Sequence, residues 1–174
     1  MKKFFIFLML LAPIFFSACE ETEEITGNIE LTINGQVHSF PIATFVKTGD
    51  YTTITSTNIS NTVSVIFKGK TKGNYTLGIG KDLIDALLNI NQITNVTDKN
   101  VVVYYPTGES ENAFIALMGN LTISEYSADK IVGAFSGKGI TKDKITAGID
   151  STFIVSNYED FAGTFVAKSV SINK

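Results

Sequence analysis

The stretch NIELTINGQVHSFPI, Asn28 to Ile42, decides the fold class. Apolar and polar residues alternate on both sides of Asn34-Gly35, the period of a strand with one face in a core. Asn-Gly is the strongest short hairpin signal, because a two-residue type I′ turn needs positive φ at both central positions. That turn sets the register: Ile33 opposite Gln36, Leu31 opposite His38, Ile29 opposite Phe40. Ile29, Leu31, Ile33, His38, Phe40 and Ile42 then share one face, expected to be the core face.

The rest of the chain continues in the same manner. Runs rich in Thr, Ile, Val, Phe and Tyr are broken at short intervals by Gly, Asn, Asp and Lys clusters, the pattern of antiparallel all-β domains. Strands are expected at Tyr51–Thr57, Thr62–Lys68 and Tyr75–Ile79, with turns at Asn58–Asn61 and Lys70–Asn74. Lys81 to Ile90 differs: Leu83, Ile84, Leu87 and Leu88 fall at helical spacing behind an N-capping Asp82, so one short helix is expected near 82–91. The strands Val101–Tyr105 and Ala113–Met118 are apolar on both faces, so something must cover their second face; the helix or a second copy of the chain are the candidates. Pro106–Asn112 between them reads as a solvated, acidic hairpin end. Toward the C-terminus, Ser124-Glu-Tyr126 leading to Gly133-Ala-Phe135 is echoed by Ser156-Asn-Tyr158 leading to Gly163-Thr-Phe165, a similar hairpin used twice. The expected architecture is an all-β antiparallel meander, forming either a sandwich or a flattened barrel.

The N-terminus reads as an address. Lys2 and Lys3 precede an apolar run from Phe4 to Phe16, followed by Ser17, Ala18 and Cys19. A charged n-region, a short apolar core and small residues before the cleavage point make an export signal. The run is shorter than the roughly 20 residues a spanning helix needs. Phe16-Ser17-Ala18-Cys19 resembles the bacterial lipobox, which implies cleavage after Ala18 and a lipidated Cys19. Cys19 is the only cysteine, so no disulfide framework exists and an odd exported cysteine finds its explanation in lipidation. Glu20-Glu-Thr-Glu-Glu24 cannot pack and reads as a solvated tether. It resembles the acidic tag of surface-exposed lipoproteins of the Bacteroidota. The expected organisation is a signal peptide over 1–18, the lipidated cysteine and tether over 19–27, and a single β domain over 28–174. The expected location is the outer membrane, lipid-anchored and surface-exposed, with the periplasmic face as the alternative.

The formal net charge is −3, and loss of Lys2 and Lys3 with the signal makes it two units more negative. Arginine is absent. Phosphate contacts come chiefly from clustered Arg and Lys, so nucleic acid is set aside as a partner.

Several motifs together resemble a known group. The early Thr-Ile-Asn-Gly hairpin, Tyr75-Thr-Leu-Gly78, and Gly119-Asn-Leu-Thr-Ile-Ser-Glu-Tyr126 feeding Gly133-Ala-Phe-Ser-Gly137 are similar to a family of uncharacterised Bacteroidota lipoproteins. The family carries an aromatic shortly after its Asn-Gly, and Val37-His38-Ser39-Phe40 departs from that. The resemblance implies an envelope address and a β fold; it supplies no catalytic residue.

The residues themselves offer little chemistry. His38 is the only histidine and falls opposite Leu31 on the apolar face, where a satisfied core residue is expected rather than a base. Gly108-Glu-Ser-Glu-Asn112 lacks the second glycine of a nucleophile elbow. Gly78-Ile-Gly-Lys-Asp82 ends in Asp where a phosphate loop needs Ser or Thr, and Gly137-Lys-Gly139 reads as a turn. One histidine and a lipidated cysteine give no zinc site of familiar spacing, and no calcium loop occurs. Glu30, Glu109, Glu111, Asp150, Glu159 and Asp160 are carboxylates with nothing in sequence to pair them across a cleft. There is no tryptophan platform, and Asp150-Ser-Thr152 is a weak match to an O-glycosylation motif. No catalytic residue, cofactor or metal is therefore expected. The expectation is a membrane-anchored, non-enzymatic binding or scaffold domain, with a glycan or protein partner left open and loops at one end as the contact surface. The alternative is a β-barrel carrier of a small apolar ligand, separable by whether the interior is filled or hollow.

Overall fold

The computed structural model describes residues 27–78, 100–108, 112–147 and 158–170. The hairpin comes first: β1 (Asn28–Ile33) and β2 (Gln36–Phe40) pair in the register read from the sequence, with Leu31 opposite His38 and Ile29 opposite Phe40. Asn34 and Gly35 carry φ of 48° and 81°, the two positive values that a type I′ turn demands.

Then follow β3 (Ala43–Thr48), β4 (Tyr51–Thr57), β5 (Asn61–Lys68), β6 (Gly73–Gly78), β7 (Val101–Pro106), β8 (Phe114–Tyr126), β9 (Lys130–Thr141), a short helix α1 (Lys142–Ala147) and β10 (Glu159–Ser169). All ten strands belong to one sheet, and the sheet closes into a barrel. The long strands β8, β9 and β10 pair antiparallel in sequence order. The free edge of β10 takes two strands end to end, β1 opposite Phe161–Val166 and then β3 opposite Lys168–Ser169. The free edge of β8 likewise takes β7 opposite Phe114–Ile115 and β6 opposite Met118–Ile123. Strands β3, β4, β5 and β7 complete the ring. Of the two expected architectures the barrel is the one formed. The β10–β3 junction that shuts it is the one parallel pairing among the named strands, and meander order is broken again where β5 pairs with β7 while β6 pairs with β8.

Inward residues fill the barrel. Phe40, Phe67, Phe114 and Phe165 are fully buried, with Ile29, Leu31, Ile54, Leu121, Ile123 and Ile131. Each such side chain contributes about 1.5–3 kcal/mol by leaving water. Room for the rings comes from glycines on the same inner face. Phe135 stands opposite Gly163 and Phe165 opposite Gly133, so the two echoed Gly-x-Phe segments pack reciprocally, each ring over the other strand's glycine. Gly137-Lys-Gly139 corrects an expectation: it lies inside β9, not in a turn. A Cβ on Gly139 would stand 2.2 Å from the Phe114 ring, and one on Gly137 would meet the Met118 carbonyl oxygen at 2.0 Å. These glycines mark close approach across the sheet.

Two further expectations change. Ile42 is exposed while Ala43 and Phe45 are buried, because the chain breaks strand geometry at Pro41-Ile42 between β2 and β3 and resumes with its inward phase moved by one residue. The helix expected near 82–91 lies outside the described residues; the helix that is described, α1, follows β9 instead. The doubly apolar strands are buried on both faces over Val101–Val102 and Ala113–Ala116, whereas Met118 is exposed. Val102, Tyr104, Phe114 and Ala116 join the main core, whereas Val101, Ala113, Ile115 and Ile140 are buried apart from it.

The strand directions give the barrel two distinct ends. The chain enters at Gly27, part-way along the wall where β1 and β3 meet on β10, its carbonyl accepting from the Ala43 N–H; the near end carries the turns Thr48–Tyr51 and Tyr126–Lys130 and the end of β10. Six residues of β1, at about 3.3 Å each, carry it roughly 20 Å to the far end. There lie the Asn34-Gly35 turn, Asn58–Asn61, Pro106, Thr141 and Glu159.

Candidate binding pocket at the far end

A cavity of about 330 Å³ opens at the far end of the barrel. Its floor is apolar, formed by Ile33 at the close of β1, Phe114 at the start of β8 and Pro106 at the end of β7. Beneath it the Phe114 ring meets Phe161 edge-on, centroids 5.6 Å apart. Its walls are polar: Asn34 and Gln36 from the first hairpin, Asn112 ahead of β8, Thr141 ending β9 and Glu159 opening β10. The hairpin is held in place by the Asn34 N–H donating to the Asp160 carbonyl at 2.9 Å.

His38 and Tyr104 complete the wall. Their rings lie 4.8 Å apart and the Tyr104 hydroxyl is 3.4 Å from His38 Nδ1, a long contact. Partial burial lowers the His38 pKa below its usual 6.5, so the imidazole is neutral at pH 7 and offers one donor and one acceptor. Position and partner match the satisfied, half-buried histidine expected from sequence. Glu159 is taken by Lys144 of α1, whose Nζ donates to its Oε1.

The carboxylates singled out in sequence do not converge. Glu159 is at the mouth with Lys144, Asp160 holds Lys138 at 2.7 Å, and Glu30 sits on the outer face of β1. Glu109, Glu111, Asp150 and Cys19 lie outside the described residues. Among the described residues no three His, Cys, Asp or Glu side chains gather as a metal set would, and no helix is long and apolar enough to cross a membrane.

A second depression, about 420 Å³, runs over the outer face of β1, β10, β9 and β8. Glu30, Thr32, Asn120, Thr122, Ser136 and Thr164 line it. These side chains rise from four separate strands of the outer face. Sequence reading missed the mouth, since Gln36, Tyr104, Asn112 and Glu159 are brought together only by barrel closure; no local motif announces them.

No family model matches the chain, and no curated protein matches it significantly.

Proposed function

We propose that the protein is a lipid-anchored, non-enzymatic binding domain of the bacterial cell envelope, held to the outer membrane through Cys19 and presenting the far end of its barrel outward. One observation carries this reading. The interior is packed with Phe, Ile and Leu side chains, so the surfaces and the mouth are where a partner can be met. Membership of the Bacteroidota lipoprotein group, and the signal peptide ending at Ala18, belong to the same proposal.

The geometry supports the orientation. An anchor upstream of Gly27 attaches part-way along the wall, and the tether of residues 20–26 reaches at most about 25 Å from it. The near end is lysine-rich: Lys47, Lys68, Lys70, Lys72, Lys130 and Lys168 lie there against Asp50, Glu125 and Asp129. Such a face complements an anionic lipid surface, at about 1 kcal/mol per cation close to it. The filled core argues against the apolar carrier, which needs a lined cavity of several hundred Å³ inside the barrel.

Native mass spectrometry of the full-length gene product, purified from its own membrane, tests both parts. The reading expects a chain beginning at Cys19 with acyl chains attached and no further apolar molecule. An unmodified Cys19, or a lipid or apolar metabolite released on unfolding, overturns it.

A further inference from the structure

We propose that the mouth pocket binds a single neutral, polyhydroxylated ring, a monosaccharide unit, through the amides of Asn34, Gln36 and Asn112 and the hydroxyl of Thr141. The inference rests on the binding-domain reading above and gives that site its ligand class.

Charge excludes most alternatives. Among the described residues no lysine lines the pocket, and the one carboxylate, Glu159, is already held by Lys144. A phosphate, carboxylate or ammonium group would therefore be desolvated there without a counter-charge, which is strongly unfavourable. A purely apolar ligand is excluded by the walls, because each covered amide left unsatisfied costs about 1–3 kcal/mol. Neutral hydroxyls remain. Each is donor and acceptor at once, and a side-chain amide presents both in one plane, as the neutral His38 ring does in the same wall. Ile33, Phe114 and Pro106 supply an apolar floor for the C–H face of a ring. At about 330 Å³ the cavity is at the small end of ligand pockets, which run from about 300 to 1,000 Å³. That suits one ring rather than a buried oligomer.

Saturation-transfer NMR on the full chain purified in detergent tests this with glucose, galactose and N-acetylglucosamine, set against the charged sugars glucuronate and glucosamine. The expected result is transfer to at least one neutral sugar, reduced about tenfold by combining Gln36→Ala with Asn112→Ala. Both positions are exposed, and an unchanged circular dichroism spectrum keeps the variant interpretable. Transfer to no neutral sugar, transfer only to charged sugars, or undiminished transfer to the double variant overturns the proposal. None of these touches the anchoring reading, which stands or falls on the acyl mass at Cys19.

Discussion

Phe165 lies over Gly133, its ring Cζ 2.5 Å from where a Cβ on that glycine would stand. Phe135 repeats the relationship over Gly163 at 2.4 Å, and the two Phe rings stack with centroids 6.3 Å apart. The pairs therefore act as one unit that fills the barrel where β9 crosses β10. Gly163→Val and Gly133→Val should each destabilise by about 1–3 kcal/mol through overpacking. Phe135→Ala should cost about 3–5 kcal/mol through the cavity left behind. Urea unfolding followed by circular dichroism measures both, and a Gly163→Val variant as stable as the parent would show that the ring moves aside freely.

At the near end, Thr52 is fully buried. Its hydroxyl donates to the Gly69 carbonyl at 2.8 Å and lies 2.8 Å from the Tyr126 hydroxyl, so one side chain ties β4, the β5–β6 turn and the end of β8. Thr52→Val keeps the shape and removes both bonds. The expected loss is about 1–3 kcal/mol, because the buried partners are left unsatisfied. Thermal melts of Thr52→Val beside Thr52→Ser check it: Ser should retain more stability than Val despite filling less space.

The first hairpin depends on its turn. With φ of 81° at Gly35, any residue bearing a Cβ is strained, and Gly35→Ala should cost about 1–2 kcal/mol. No heavy atom lies within 4 Å of the added Cβ, so the loss would be backbone strain alone. Equal melting temperatures for Gly35→Ala and parent would contradict the type I′ geometry.

Burial depresses the His38 pKa below 6.5, so between the folded and unfolded values the unfolded chain binds the extra proton. Stability is complete above about pH 6.5 and falls as pH drops through that window. Glu159 and Lys144 stand at the same mouth with the Tyr104 hydroxyl. The effect is small because His38 is only partly buried. Melting temperatures from pH 8 to 5 should show the decline in the parent and a flatter profile in His38→Gln. An identical slope in the variant would place the pH dependence elsewhere.

Much of the architecture was legible in the sequence, because period-two alternation and Asn34-Gly35 report local geometry directly. Residues Tyr51–Thr57 form β4 as read, and Leu31 meets His38 as read. What was not legible came from long-range closure. Pro41-Ile42 moves the inward phase by one residue, which alternation alone cannot foresee. Gly137 and Gly139 read as turn residues until Phe114 and β8 are brought against them. The far-end pocket assembles residues 33 to 159 of the chain, made neighbours by the pairings of β1 with β10, β10 with β9, β9 with β8 and β8 with β7. His38 was placed correctly by strand parity, yet nothing local told of Tyr104 beside it.

The central claim is that the barrel is held to the membrane through Cys19 with its far end outward. Ile59 lies fully exposed in the Asn58–Asn61 turn, which is tied to the mouth by the Thr107 N–H bonding to the Ser60 carbonyl. Ile59→Cys places there the one free thiol in a chain whose only native cysteine is Cys19, and labelling of intact cells with a membrane-impermeant maleimide reads its accessibility. The account predicts labelling on intact cells, with loss of membrane association when Cys19→Ala is added. Labelling that requires cell lysis, or membrane retention without Cys19, would contradict it.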